Sequence, residues 1–143
     1  MRRLSFTLIL CGILIAVCGI SAQAPEKFKA RLAFVPYDAA QRANIGGSGA
    51  AVGTLTGRKL MITGTFDGLK SNATTARLHL SPVTGVRGPA VGDLEVSKAT
   101  SGMIGGSLDL TPVQVEGLRQ GRFYVQLHSE KAPDGNLWGW LLK

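Results

Sequence analysis

Strict alternation of apolar and polar side chains near the end of the chain constrains its fold more than any other feature. Phe123, Val125 and Leu127 occupy every second position of one stretch, and Leu137 and Leu141 alternate with tryptophans in the next. A period of two residues is typical of half-buried β-strands. Two strands alone are not stable in water, so the rest of the chain must supply further strands.

A turn is expected between these two stretches. Pro133-Asp134-Gly135 combines a preset φ, a side chain that can bond its own backbone, and a residue free to adopt positive φ. This predicts a hairpin, and because the connection is longer than a two-residue turn it leaves the register open.

The same alternation recurs along the chain. Phe28, Ala30 and Leu32 alternate with Lys29 and Arg31, which predicts a strand with one solvated face. Further short strands are predicted over residues 50–55, 59–66, 76–80, 91–96 and 107–110. One helix is predicted to begin at Thr111-Pro112-Val113-Gln114, where a capping threonine is followed by proline and glutamine. Many short strands and one short helix favour an all-β antiparallel sandwich or barrel over any βαβ fold.

The first 24 residues are predicted to be a secretory signal peptide. Arg2 and Arg3 precede an apolar run and a small-residue segment, and cleavage is expected after Ala22 or Ala24. This leaves residues 25–143 as one secreted or periplasmic domain, with membrane contact only through the signal segment before cleavage. An uncleaved membrane anchor is the alternative.

The positions of the cysteines and the distribution of charge limit the kinds of protein that the exported domain can be. Cys11 and Cys18 both lie in the signal segment, so the domain is expected to be free of disulfides and stabilised by hydrophobic burial. Beyond Arg2 and Arg3, 14 basic residues remain against 9 acidic ones, and they are scattered along the sequence. Without a basic helix face or interleaved aromatic residues, no nucleic-acid partner is predicted. The positive charge permits, but does not require, loose attraction to anionic polymers or membrane surfaces.

Three segments, taken in order, resemble the CHRD domain, the module named from chordin. They are Thr75-Ala76-Arg77-Leu78-His79 with the following Gly85-Val86-Arg87-Gly88-Pro89, then Leu110-Thr111-Pro112-Val113-Gln114, and finally Tyr124-Val125-Gln126-Leu127-His128 with Gly135-Asn136-Leu137-Trp138-Gly139. The resemblance implies an immunoglobulin-like β-sandwich distantly similar to copper/zinc superoxide dismutase, in a family without an established general activity. By analogy with chordin it also implies protein partners.

Four positions depart from the pattern of that family. Arg77 stands where the motif has its first histidine and Asn136 where it has glutamate, while Trp138 and Trp140 replace polar residues. These changes weaken any metal-binding or acidic-site role that the resemblance suggests.

Catalysis is not predicted, and no catalytic residue or cofactor is assigned. A dinuclear copper/zinc site needs about six imidazoles and a carboxylate. The exported domain has only His79 and His128. It has no cysteine, and Gly47-Ser48-Gly49 lacks the spacing of a nucleophile elbow.

The two histidines admit two interpretations. If their strands pair, His79 and His128 could approach each other near Asp134 or Glu130 and form a weak surface site for copper or zinc. Alternatively, both make ordinary hydrogen bonds on sheet faces. Arg77, on the same face as His79, opposes a cation by charge repulsion.

The two tryptophans also admit two interpretations. Trp138 and Trp140 must point the same way, opposite to Leu137 and Leu141. They then form either an outer platform for a sugar ring or a partner's apolar patch, or a covered cluster with Tyr124.

The sequence thus predicts a non-catalytic binding or structural module whose partner is an unknown protein. Carbohydrate or envelope-polymer binding through the tryptophans and Tyr124 is the first alternative, and weak metal binding through the histidines is the second. The candidate binding surface consists of Trp138, Trp140, Tyr124, Arg77, His79 and His128.

Overall fold

The computed structural model describes residues 23–143, so the predicted signal peptide lies almost wholly outside the described residues. In this part of the chain, eight antiparallel strands close into a barrel in the order β1-β2-β3-β6-β5-β4-β7-β8. The elements are β1 Glu26–Phe34, β2 Ser48–Thr56, β3 Lys59–Asp67, β4 Ala73–Leu80, β5 Ala90–Val96, β6 Gly102–Asp109, α1 Pro112–Arg119, β7 Phe123–Ser129 and β8 Ala132–Trp140. The predicted all-β antiparallel class with one short helix is confirmed.

Two strands pass from one half of the barrel to the other. β1 pairs with β2 through residues 26–32 and then with β8 at Ala33 and Phe34. β5 pairs with β4 as far as Leu94 and with β6 at Glu95 and Val96. The barrel is therefore flattened into two packed layers, β2–β3–β6 and β4–β7–β8, with β1 and β5 at the corners. No helix within residues 23–143 is long and apolar enough to cross a membrane.

The core follows the predicted alternation. The inward side chains of both layers are buried in one continuous cluster, and Leu137 and Leu141 belong to it as expected. Its other large members include Phe28, Leu32, Leu55, Leu60, Ile62, Phe66, Leu78, Ile104, Leu118, Phe123, Val125 and Leu127. Burying apolar surface of this kind stabilises the fold by about 25 cal/mol per Å².

The short helix begins where the sequence predicts. Thr111 caps α1 because its Oγ1 accepts from the Gln114 N–H at 3.2 Å, while Gln114 Oε1 accepts from the Thr111 N–H at 2.9 Å. Gly121, with φ +71°, follows the end of the helix. Val115 and Leu118 face inward and join the core, so the helix covers part of the barrel interior.

The predicted position of the last turn is wrong. The β7–β8 hairpin turns at Glu130 and Lys131, with Ser129 paired to Ala132, and residues 133–136 form a bulge opposite His128. Neither Glu130 nor Lys131 has a positive φ, so the turn is not one of the primed types whose twist matches that of the strands, and the ladder beside it is interrupted. Pro133 has no N–H to give to the ladder, so it is accommodated where the ladder is interrupted.

Candidate binding surface

Four rings pack together on the outer face of β4, β7 and β8. Tyr124 lies opposite His79 on β4 and Trp140 on β8, so the register places it at the centre. Its ring centroid is 4.6 Å from Trp140, 5.6 Å from Trp138 and 4.7 Å from His79, which stacks on it nearly parallel. We call these four side chains the outer aromatic cluster.

The cluster is covered in its middle and partly open at its margin. Tyr124 is only 1% exposed, whereas both tryptophans are half-buried. Trp138 packs against the apolar side chains of Val35 and Ile45 on one side. The two indole planes meet at 63° with centroids 5.7 Å apart. The tryptophans therefore form a cluster with Tyr124 and do not make a coplanar three-ring platform.

Residues 81–89, which we call the strap, cross over this cluster between β4 and β5. The Gly88 N–H donates to Tyr124 Oη at 3.1 Å, and the Tyr124 hydroxyl donates to the Gly88 carbonyl at 3.2 Å. His79 Nδ1–H donates to the same carbonyl at 2.9 Å. A Cβ on Gly88 would lie 2.1 Å from the Leu80 carbonyl oxygen. Glycine is required there because the strap approaches the β4 backbone so closely.

The bulge in β8 is stabilised by side chains from the same face. His128 Nδ1–H donates to the Pro133 carbonyl at 2.8 Å. Gln126, which is 2% exposed, donates to the Asp134 carbonyl at 3.1 Å. Arg87 donates to that carbonyl at 3.3 Å, and its guanidinium carbon lies 5.8 Å from the Trp138 ring centroid. The carbonyls released from the ladder thus find donors.

The structure does not bring the two histidines into one metal-binding group. Their strands do pair, but His79 faces Tyr124 and His128 faces Thr75, with the Arg77–Gln126 pair between them. Residues 23–143 contain no group of three or more histidine, cysteine or carboxylate side chains placed to hold a metal ion. Each imidazole instead donates one N–H to a loop carbonyl, which agrees with the hydrogen-bonding interpretation.

The environment of His79 favours the neutral imidazole. Burial lowers the pKa of His79, and the nearby His128, Arg77 and Arg87 lower it further, while the bond to the Gly88 carbonyl acts in the opposite direction. Because Nδ1 donates to that carbonyl, the neutral ring presents Nε2 as an acceptor. This atom is buried and has no hydrogen-bond partner within the described chain.

Arg77 lies at the edge of the surface and is not part of the aromatic cluster. Its Nε donates to Asp93 on β5 at 3.0 Å, and both side chains are largely solvated. An exposed pair of this kind contributes little to stability.

Sequence reasoning missed a groove beside Trp140. It has a volume of about 540 Å³ and is lined by Lys29, Ala30, Arg31, Ala50, Trp140, Leu142 and Lys143. The groove forms because the chain after β8 lies against β1, with the Lys29 N–H donating to the Leu142 carbonyl at 2.7 Å. The alternation in β1 was readable from the sequence, but its contact with the other end of the domain was not.

Positive charge is concentrated along one side of this groove. Lys27, Lys29 and Arg31 point outward at alternate positions of β1, and we call them the cation row. Lys29 and Arg31 line the groove, and Lys27 continues the row beyond it. Within residues 23–143, none of the three has a carboxylate within ion-pair distance.

Glu26, the first residue of β1, forms ion pairs with two cations that do not belong to the cation row. Its carboxylate lies 2.7 Å from Lys143 Nζ and 2.6 Å from Arg119 Nη2. Hydrogen bonds from Arg119 and Lys143 lower the pKa of Glu26 to about 2. The carboxylate is therefore ionised at neutral pH and already shared between two cations.

Comparison with known proteins identifies the family. A family model described as the CHRD domain matches residues 33–141, which is most of the chain. Comparison with curated proteins and with solved structures gave no significant match. The matched range contains the strap, the outer aromatic cluster and the bulge. The chain belongs to the CHRD domain family.

Proposed function

We propose that this chain is an exported, non-catalytic binding module that recognises a protein partner through the margin of the outer aromatic cluster. The carrying observation is that Trp138 and Trp140 are both half-buried and held by neighbouring rings, with Arg87 and Arg31 beside them. Tryptophan and arginine in such rigid, partly covered positions dominate many protein interfaces.

The hydrogen bonding of the polar groups supports a role without catalysis. The Tyr124 hydroxyl and His79 Nδ1 are engaged with Gly88, and His128 Nδ1 is engaged with Pro133. These groups stabilise loops, and the His79 Nε2 atom is shielded from solvent. The CHRD domain is a small β-rich domain of uncertain function and is not a known enzymatic family.

A protein partner suits the surface better than a polysaccharide chain does. The carbohydrate alternative needs Trp138, Trp140 and Tyr124 as one stacking platform. Tyr124 is buried, and the indoles are tilted by 63°. Side chains of a protein can pack against tilted rings from several directions, whereas the buried ring of Tyr124 has no face open to a sugar.

The proposal is tested by capture from the exported fraction of the source organism. The domain and its Met61→Ala variant, altered on a distant exposed side chain, should retain the same protein partner. Trp140→Ala should weaken binding of that partner by roughly tenfold or more, as for an interface anchor. Unfolding midpoints of both variants establish that they are folded. Retention unaffected by Trp140→Ala, or bound material that glycosidases destroy and proteases do not, would contradict the proposal.

A further inference from the structure

We infer that the groove beside Trp140 binds an extended acidic segment of the partner, with acidic and apolar side chains alternating along it. This inference rests on the proposed function and specifies the chemistry of the partner. Three features support it: the spacing of the cation row, the lack of neutralising carboxylates among the described residues, and the apolar residues on the opposite wall of the groove.

The spacing of the cation row matches that of an extended peptide. Side chains on one face of a strand repeat every two residues, so Lys27, Lys29 and Arg31 lie about 6.7 Å apart. A peptide running along β1 in extended form presents every second side chain at the same interval. Carboxylates at alternate positions therefore remain in register with all three cations.

The positive charges of the cation row are not neutralised by carboxylates of the described residues. Among the described residues, no carboxylate lies within ion-pair distance of Lys27, Lys29 or Arg31, and all three side chains are exposed. A bound carboxylate would not have to displace an internal partner. Exposed pairs are individually weak, so the row is expected to supply register and fast association more than affinity.

The other wall of the groove supplies apolar contact. Trp140 is half-buried and Leu142 is 48% exposed, and these residues are also two positions apart. Ala50 presents only a methyl group to the groove, and the Ala30 side chain points into the core, so the space between the walls stays open. An extended segment whose side chains point alternately to the two walls would place its acids toward β1 and its apolar residues toward Trp140.

Two synthetic peptides of identical composition test this inference. In one, glutamate and leucine alternate; in the other, the glutamates are grouped at one end. Fluorescence anisotropy of labelled peptides should show the alternating peptide binding roughly tenfold more tightly to the domain. Its binding should weaken as salt is raised, because exposed charges are screened.

Matched variants locate the site. Lys29→Glu/Arg31→Glu and Trp140→Ala should each reduce binding of the alternating peptide by about tenfold. Lys59→Glu, which reverses a single charge on β3, should leave it unchanged. The Lys29→Glu/Arg31→Glu variant should in turn bind a peptide in which lysine and leucine alternate, and this gain cannot result from unfolding.

Equal binding of the two isomeric peptides, or an equal loss in Lys59→Glu, would overturn the inference. Tighter binding of a carboxylated or sulfated polysaccharide than of the alternating peptide would also overturn it. If the peptides fail while partner capture still depends on Trp140, only the acidic-segment inference falls. If capture is also independent of Trp140, the proposed function falls with it.

Discussion

The two layers of the barrel differ in how their outer faces are covered. On the outer face of β2, β3 and β6, which we call the open face, the side chains are exposed to solvent. On the outer face of β4, β7 and β8, the rings of the outer aromatic cluster pack beneath the strap. Met61 and Met103 on the open face are 51% and 66% exposed, and Tyr124 on the other is 1% exposed. The inward residues of the two layers do not differ in this way, because Leu60 and Ile62 are as fully buried as their counterparts across the core.

This difference shows that core packing alone does not determine the structure of the outer faces. Both layers bury apolar side chains at every second position, yet within residues 23–143 only one has a loop packed over its outer face. The strap is held because Tyr124 and His79 bond to Gly88, and among the described residues no equivalent ring lies on the open face. The hydrogen bonds from Tyr124 and His79 to Gly88 therefore hold the strap over the layer that carries the two tryptophans.

The largest effect is expected from Gly88→Ala. The added Cβ would clash with the Leu80 carbonyl and push the strap off Tyr124 and His79, which should lower the free energy of unfolding by about 2–4 kcal/mol. Gly57→Ala, in the β2–β3 turn, serves as the control. Its φ is +62° but nothing lies within 4 Å of the added Cβ, so about 1 kcal/mol is expected. Urea unfolding measures both, and equal losses would contradict the importance of the strap.

Tyr124→Phe should have a smaller effect. It keeps the ring packing but removes the hydroxyl that bonds to both the N–H and the carbonyl of Gly88. We expect a loss of about 1–2 kcal/mol in the free energy of unfolding, because Gly88 loses both of these bonds. Increased amide exchange at Gly88 should accompany it. A variant as stable as the parent, with unchanged exchange, would show that ring packing alone holds the strap.

Stability should also decline at mildly acidic pH. Because burial lowers the pKa of His79 in the folded state, the unfolded chain takes up a proton first as the pH falls below the usual value of 6.5. The stability contributed by the neutral ring is present above pH 6.5 and is lost progressively toward the folded pKa. Urea midpoints measured at a series of pH values should show this decline, and His79→Gln should reduce it. Glu26, with a pKa lowered from 4.5 to about 2, acts only in a more acidic range.

The smallest effect is expected on the open face. Thr63→Val replaces an exposed hydroxyl on β3 with a methyl group and preserves β-branching. The free energy of unfolding should change by no more than about 0.5 kcal/mol. Thermal or urea unfolding measures this change. A larger loss of unfolding free energy would show that the open face also depends on contacts between outward side chains, and would contradict the difference between the two faces.

Local patterns predicted the features that depend on neighbouring residues. Alternation placed Leu137 inward and Trp138 outward, and the capping residues located the start of α1, because both signals act within a few positions. The turn at Glu130 was not predictable in the same way. Pro133-Asp134-Gly135 has the chemistry of a turn, and only its pairing with β7 makes it a bulge.

Features made by distant segments could not be predicted from periodicity. The burial of Tyr124 requires the strap, which is separated from β7 in the sequence by β5, β6 and α1. The groove requires β1 to meet the residues after β8, and this happens only when the barrel closes. The alternation therefore predicted that the side chains of Trp140 and Arg31 point outward. It did not predict that these two side chains lie in the same groove.

Closure of the barrel also governs how the domain can be handled and fused to other proteins. Glu26 near the start of the domain is bonded to Lys143, the last residue, and Lys143 itself lines the groove. A tag or neighbouring domain joined after Lys143 would emerge at the groove and restrict access to it. Immobilisation through a Lys98→Cys thiol in the β5–β6 connection, which does not line the groove, would keep that access free, because residues 23–143 contain no other cysteine.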